Sequence, residues 1–393
     1  MRRVVIAGGG VAAAELALGL DALARDRVTI EIVAPNSELV YRPLAVAEPF
    51  GLTHANRFPL SELADAARAQ IVHGSVASVD ASNQAVTLVG GRTLTYDVLV
   101  VAVGARATVG VPGATTFNSE AIGPVRDIIE GLADGKRVVF AIPSGITWPL
   151  PLYELALMTS TWSAARELEV GLEIVTAERE PLEMFGAHVS TVVAELLAER
   201  GIGLTCGRPP LRFERGQLAL SHGHRPADFV VAGPLLTGRA LEGLPHDRAG
   251  FLPVDRSGAV RGTRNVFAAG DCTSYPLKQG GLAIQQGAAT ARAIARICGV
   301  EIAKEEENVE LDGILLTGGL PLYLHREPER EPGFDRSEAS FEPRWWPPTK
   351  ISGGYLAVHS ARAAATTPPD PGLTWLRLET DDLAPYLEPR AGN

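Results

Sequence analysis

A chain of 393 residues, 46% hydrophobic and 21% charged, is long enough for two or three cored domains and too charged for a polytopic membrane protein. Its 36 Lys and Arg against 46 Asp and Glu leave a formal charge of −10, which argues against a nucleic-acid ligand, because backbone phosphates need a basic footprint. The 41 glycines and 28 prolines point to many tight turns rather than long bundled helices.

The apolar run after Arg2 and Arg3 passes straight into glycines, so residues 3–7 read as a buried strand, not a signal peptide. Gly8–Gly10 is a turn, residues 11–24 have helix composition, and 28–33 is a second strand ending before Pro35. That order opens a dinucleotide-binding unit. A helix is expected over 58–70, then strands over 71–80, 85–90 and 93–104. Pro112–Gly113 marks a boundary. Beyond it come a helix over 120–133, a strand and turn over 136–145, a helix over 150–167 and a strand over 170–178. A helix over 187–200 and short strands at 202–205, 211–213, 217–220 and 227–234 complete a second unit of the same plan. From 250 a buried strand leads to Gly270–Asp271, and a helix follows over 280–299. An acidic link spans 301–310, and short strands alternate with Pro-rich loops from Leu311 onward. No apolar run reaches the length of a membrane span.

Gly8-x-Gly10-x-x-Ala13 carries the most chemistry. Gly8 permits the sharp turn, Gly10 lets the backbone approach a pyrophosphate, and Ala13 lets the helix pack closely on its strand. The helix start, with Val11 and Ala12, supplies amide donors to the phosphates. The acid for an adenosine ribose is open: Glu31 lies inside the second strand, Ala34 stands where an acid is expected, and Asn36 or a backbone group is the alternative. The second turn keeps only Gly145, and Pro143, Trp148 and Pro149 restrict a close pyrophosphate approach. Glu178 lies where an acid would bind the ribose 2′-OH of NADH and repel the 2′-phosphate of NADPH. The competing reading is a retained domain that no longer binds a nicotinamide nucleotide. Cys206, Cys272 and Cys298 form no CxxC pair and read as reduced structural thiols. The histidines make no metal signature, and His222 and His224 read as a solvated loop.

The segments `VVIAGGGVAAAE`, `YDVLVVAVGAR` and `TRNVFAAGDCTSYPLKQGGLAIQQGAATARAI` resemble the pyridine nucleotide–disulfide oxidoreductase flavoproteins over about residues 1–300. Within that group the chain looks like type II NADH dehydrogenases, sulfide:quinone oxidoreductases and flavocytochrome-c sulfide dehydrogenase flavin subunits. The resemblance implies an α/β fold of the glutathione-reductase-like type: two Rossmann-like domains plus a small C-terminal region. The discontinuous FAD domain would be 1–110 and 250–300, the NAD(H)-type domain 111–249, and the acceptor-side or interface region 301–393. It implies non-covalent FAD held by Gly8, Gly10, Val11, Ala12, Ala13, Arg42, Pro43, Gly104, Gly270, Asp271, Gly280, Gly281 and Leu282, with Gly145 and Glu178 serving NADH. Val103 replaces the threonine common in the family's ATG segment. Tyr41 and Lys278 are the residues expected at the ring, Lys278 reinforcing the helix start that stabilises reduced flavin, with Gln285 and Gln286 nearby. Glu154 matches an acid often found on the second helix.

The implied activity is hydride transfer from NADH to flavin N5 and onward to an acceptor, a quinone among the candidates. Sulfide oxidation is disfavoured, because Thr147 and Trp148 occupy the turn where the sulfide enzymes carry a cysteine. An FAD-containing electron relay without catalysis is the third reading. The expected setting is the cytoplasm, with peripheral contact at the inner membrane face and a homodimer as further expectations. Trp345, Trp346, Tyr355 and Leu356 would either line a quinone tunnel or seal the C-terminal region.

Overall fold

The computed structural model describes residues 1–52, 56–119, 121–303, 309–327, 336–345, 349–351, 354–357 and 359. Its first sheet is all parallel, in the order Val266–Ala268, Val98–Val101, Arg2–Ala7, Val28–Ala34, Gln70–His73. Arg2–Ala7 is central, and the chain leaves it first to one side and later returns on the other. The crevice at its carboxyl end is therefore the topological switch point, where open α/β sheets bind ligands. Alternation along the strand covers both faces. Val4 and Ile6 pack under helix α1 (Val11–Ala24). Val5 and Ala7 pack on a three-stranded antiparallel sheet, Val76–Asp80, Ala85–Leu88 and Thr93–Thr95. Helix α2 (Leu60–Ala66) lies beside α1, shorter than the sequence suggests, because Arg68 turns into positive φ and Gln70 begins a strand.

The second sheet repeats the plan: Thr115–Thr116, Phe229–Ala232, Arg137–Ile142, Gly171–Thr176, Gly203–Thr205, all parallel. Helices α3 (Gly123–Glu130), α4 (Leu150–Ala164) and α5 (Ala187–Glu199) supply the core on the face carrying Val138, Phe140 and Ile142. The expected helix over 120–133 shrinks to α3, begun by Pro124 and stopped at Gly131. The other face is covered by Pro210–Glu214, Gln217–Leu220 and His224–Pro226. His224 thus starts an edge strand, where a solvated loop was expected; pairing to Ala219 decides the conformation.

Helix α6 (Gly280–Ile297) packs along α1 over small residues: a Cβ on Gly287 would lie 2.9 Å from the Ala12 carbonyl. The buried strand expected from residue 250 onward is only Val266–Ala268, with turns and single bridges before it. After α6, strands Leu311–Leu315, Leu322–Arg326 and Ser337–Ser340 form an antiparallel sheet whose Leu315, Leu322 and Leu324 join the core of the second domain. The architecture is thus two Rossmann-like parallel-sheet domains with a smaller C-terminal region.

Candidate functional site

The carboxyl end of Arg2–Ala7 is shaped for close approach. Gly8 has φ +134°, and a Cβ there would stand 2.1 Å from the Ala102 carbonyl oxygen, so the turn and the 102–104 crossover touch backbone to backbone. Gly10, the first cap of α1, is extended at φ −92° and ψ −173°, and a Cβ on it would meet nothing within 4 Å. No side chain caps α1 and no acid sits in its first turn, which leaves the amides of Val11, Ala12 and Ala13 for an outside acceptor. An open cradle of amides at a helix start is what a diphosphate needs, so these residues fit FAD.

The second glycine turn closes on the first. A Cβ on Gly270 would lie 3.0 Å from the Ala12 Cβ and 3.6 Å from that of Ala283, placing Asp271 where α1 and α6 converge. Gln286 fixes this turn by accepting from the Gly270 amide at 2.8 Å, while Gln285 bonds the backbone of Glu310. The Asp271 carboxyl is half-buried; burial pushes its pKa up, and Lys278 and Arg42 pull it back. Gly104 lies alongside, its backbone and that of Val103 facing the buried Cys272 thiol.

Lys278 is buried and fixed. Its amine donates to the carbonyls of Thr273 and Tyr275 and sits 4.0 Å from the Phe251 ring centroid. Burial lowers its pKa, against the pull of Asp271. At the start of α6, the Leu282 amide is taken by the Gln279 side chain at 2.8 Å, and Gly280 abuts Ile351. Tyr41 is buried with Leu44, Ile284 and Ile351, and its hydroxyl accepts from the Ile351 amide at 3.2 Å. Glu31 pairs with Arg3 at 2.7 Å, and Asn36 is exposed.

Sequence reasoning had no signal for the segment Thr349–Ile351. Lys350 is buried against Glu154 of α4, and its amine also donates to the Pro43 carbonyl at 3.3 Å. Glu154 accepts the Leu316 amide as well, and its second carboxylate oxygen is buried without a partner. Burial raises its pKa against the opposing pull of Lys350. This pair joins the second domain to the loop carrying Tyr41 and Pro43. Trp345 packs edge-on to Tyr323 at 5.3 Å, whereas the amides of Tyr355 and Leu356 donate to the buried Glu15 of α1. The three aromatic and apolar candidates thus divide between two places, and Trp346 lies outside the described residues.

Gly145 and Glu178 belong to the second domain, Gly145 in the turn before α4 and Glu178 just after strand Gly171–Thr176. Glu178 is turned inward: one oxygen accepts from Tyr153 at 2.7 Å and Thr176 at 2.9 Å, and the other is buried and unpartnered. Burial raises its pKa from the ordinary 4.5 to about 7. A raised carboxyl contributes stability in full below pH 4.5, and that contribution is lost as pH rises through about 7. The loss is about 3 kcal/mol. Urea melts at pH 5 and pH 8 should show Glu178→Gln free of this part of the decline and more stable than the parent at pH 8. Equal pH dependence in both proteins would contradict the placement.

All three cysteines are unbridged. Burial pushes Cys206 up to about 11 and Cys272 up to about 12, far from a thiolate at neutral pH. Glu310, Asp312 and His325 gather within 4.8 Å, a cluster the sequence did not suggest. His325 and Asp312 are 2.7 Å apart, a hydrogen bond, closer than the roughly 3.3 Å between two ligands of one tetrahedral zinc. Among the described residues no helix is long and apolar enough to cross a membrane.

Two NADH dehydrogenase-like proteins from two strains of Mycobacterium tuberculosis are each 27% identical to the chain, over 82% of it and 84% of their own length. The fold matches sulfide:quinone oxidoreductase from Aquifex aeolicus with a TM-score of 0.78 at 20% identity, over 87% of both chains. It also matches a ferredoxin reductase from Rhodopseudomonas palustris with a TM-score of 0.64 at 19% identity, over 83% of both. Residues 2–141 and 154–292 match the family described as pyridine nucleotide-disulphide oxidoreductase, and the second turn falls between the two segments. The match spans well over half of the chain, and the chain belongs to that family.

Proposed function

We propose that the chain is an FAD-dependent oxidoreductase that passes electrons from a reduced donor to a small acceptor, with a quinone as the acceptor class. The observation that carries this reading is the meeting of two glycine turns, Gly8–Gly10 and Gly270–Asp271, over Ala12 at the uncapped start of α1. Bound there, FAD supplies the reversible two-electron chemistry. The chain supplies position and field. The α1 amides hold the diphosphate, with Gly10 leaving the room for it. Asp271 takes the hydroxyls beyond the diphosphate, and Arg42 and Lys278 balance its charge. The start of α6, at Gly280 and Gly281, turns its positive end toward the ring, and the fixed Lys278 adds to that field. Tyr41 and Pro43 wall the ring side. Behind them the Glu154–Lys350 pair holds a proton in a dry setting, which suits an acceptor that gains protons with its electrons.

The quinone assignment draws on the Aquifex aeolicus enzyme's name and fold likeness. Contact with a membrane, at its cytoplasmic face, would then be peripheral. Sulfide as the donor has less support, since no thiolate is available. NADH as the donor is a separate question from the flavin, because it would occupy the other domain.

The test uses the purified protein, supplied with FAD, photoreduced without oxygen and mixed with a short-chain quinone. Reoxidation should saturate with quinone and outrun that by dioxygen. A protein that takes up no FAD, or whose reduced form ignores quinones, would overturn the proposal.

A further inference from the structure

We infer that the second nucleotide-type domain does not hold a nicotinamide dinucleotide, and that the electrons come from a reductant without a diphosphate. The comparison is internal, because the two domains repeat one plan and differ at the turn where a diphosphate would sit.

In the first domain the turn is Gly8–Gly10 and the helix starts at once. In the second, the strand ends at Ile142 and α4 begins only at Leu150, so the turn is more than twice as long. Two prolines then empty the helix start of donors. Pro149 is the cap, and Pro151, the second residue of α4, has no N–H. The third amide, of Leu152, donates to the Pro149 carbonyl at 3.0 Å. Only the Leu150 amide remains of the three that α1 offers. One amide does not cradle a diphosphate dianion.

The space is also filled. A Cβ on Gly233 would lie 2.3 Å from the Ile146 side chain, so Ile146 is seated over the end of strand Phe229–Ala232, at the switch point of this sheet. Trp148 packs on Phe185 at 5.8 Å. The Thr147 carbonyl accepts from the Lys278 amide at 3.4 Å, which ties the turn to the flavin-side segment. The ribose acid is turned away, since Glu178 is buried and one of its oxygens is held inside the domain by Tyr153 and Thr176. Length, lost donors and a filled crevice are separate features, and all three disfavour a dinucleotide. What remains is a donor that needs no phosphate cradle.

The inference rests on the flavin reading for one of its two readouts. Calorimetry of the FAD-saturated protein with ADP-ribose does not depend on flavin reduction, and binding should be weaker than about 1 mM. Anaerobic stopped-flow at 450 nm should show no bleaching with NADH or NADPH at about 1 mM, the upper end of ordinary KM values. Photoreduction of the same sample should bleach it fully, showing the flavin competent. Micromolar ADP-ribose binding, or saturable bleaching by NADH, would overturn the inference. If the protein holds no flavin, the proposed function fails, and the ADP-ribose titration of a Gly10→Val protein, its first cradle filled, still decides this inference.

Discussion

Replacing Gly10 with valine is expected to weaken FAD binding by at least about 100-fold while leaving the fold intact. The backbone at Gly10 is extended, a conformation any residue adopts, and its Cβ would meet nothing within 4 Å. A surface change of this kind alters stability by about 0.5 kcal/mol or less. The open space is nonetheless where a diphosphate reaches the α1 amides, and two methyl groups would fill it. Affinity for FAD should fall by at least about 100-fold, which is about 2.7 kcal/mol. Gly8→Ala differs in kind. Its Cβ would lie 2.1 Å from a backbone oxygen at φ +134°, so strain of about 3 kcal/mol is added to the loss of flavin. Flavin per chain by absorbance, read beside thermal melts, separates the two. If Gly10→Val retains stoichiometric flavin, the diphosphate does not sit on α1.

The largest loss of stability is expected at the Glu154–Lys350 pair. Both side chains are buried, with Glu154 only 1% exposed. Lys350→Met strands a carboxylate that already has one unpartnered oxygen. Breaking a buried pair from one side costs about 3–5 kcal/mol, whereas replacing both partners is often near neutral. The single variant should therefore lower the first unfolding transition by on the order of 10 °C. Lys350→Met combined with Glu154→Gln should recover most of that. Differential scanning calorimetry reads both, and a double variant no better than the single one would contradict the account. The pair ties α4 to the Pro43 loop, so the single variant should also slow acceptor turnover.

What the sequence disclosed follows the range of the interactions involved. The glycine turn at Gly8–Ala13 was legible because its signals are local: a strand period, two glycines and a helix composition within a dozen residues. The central parallel strands read well for a related reason. They are buried on both faces and so appear as unbroken apolar runs such as `VLVV`. Strands at the edges read poorly, as His224–Pro226 shows, because pairing rather than composition forms them. Lys350 stands 196 residues from Glu154, and the Tyr355 amide 340 residues from Glu15. Trp345 and Tyr355 mark the neighbourhood of Lys350 as apolar, but nothing local names its partner. Lys278 was read as a cation beside the ring, and the structure adds what local text does not carry, two carbonyls and Phe251 that hold it. The prolines of the second turn were visible in the text. Their consequence, a helix start with one amide left, needed the Leu152 to Pro149 bond.

The most direct measurement is the identity and stoichiometry of the flavin released from the purified protein by acid precipitation, read by chromatography. The account predicts about one FAD per chain, all of it in the supernatant. A colourless protein that takes up no FAD, a pellet that keeps its colour, or FMN in place of FAD would contradict it.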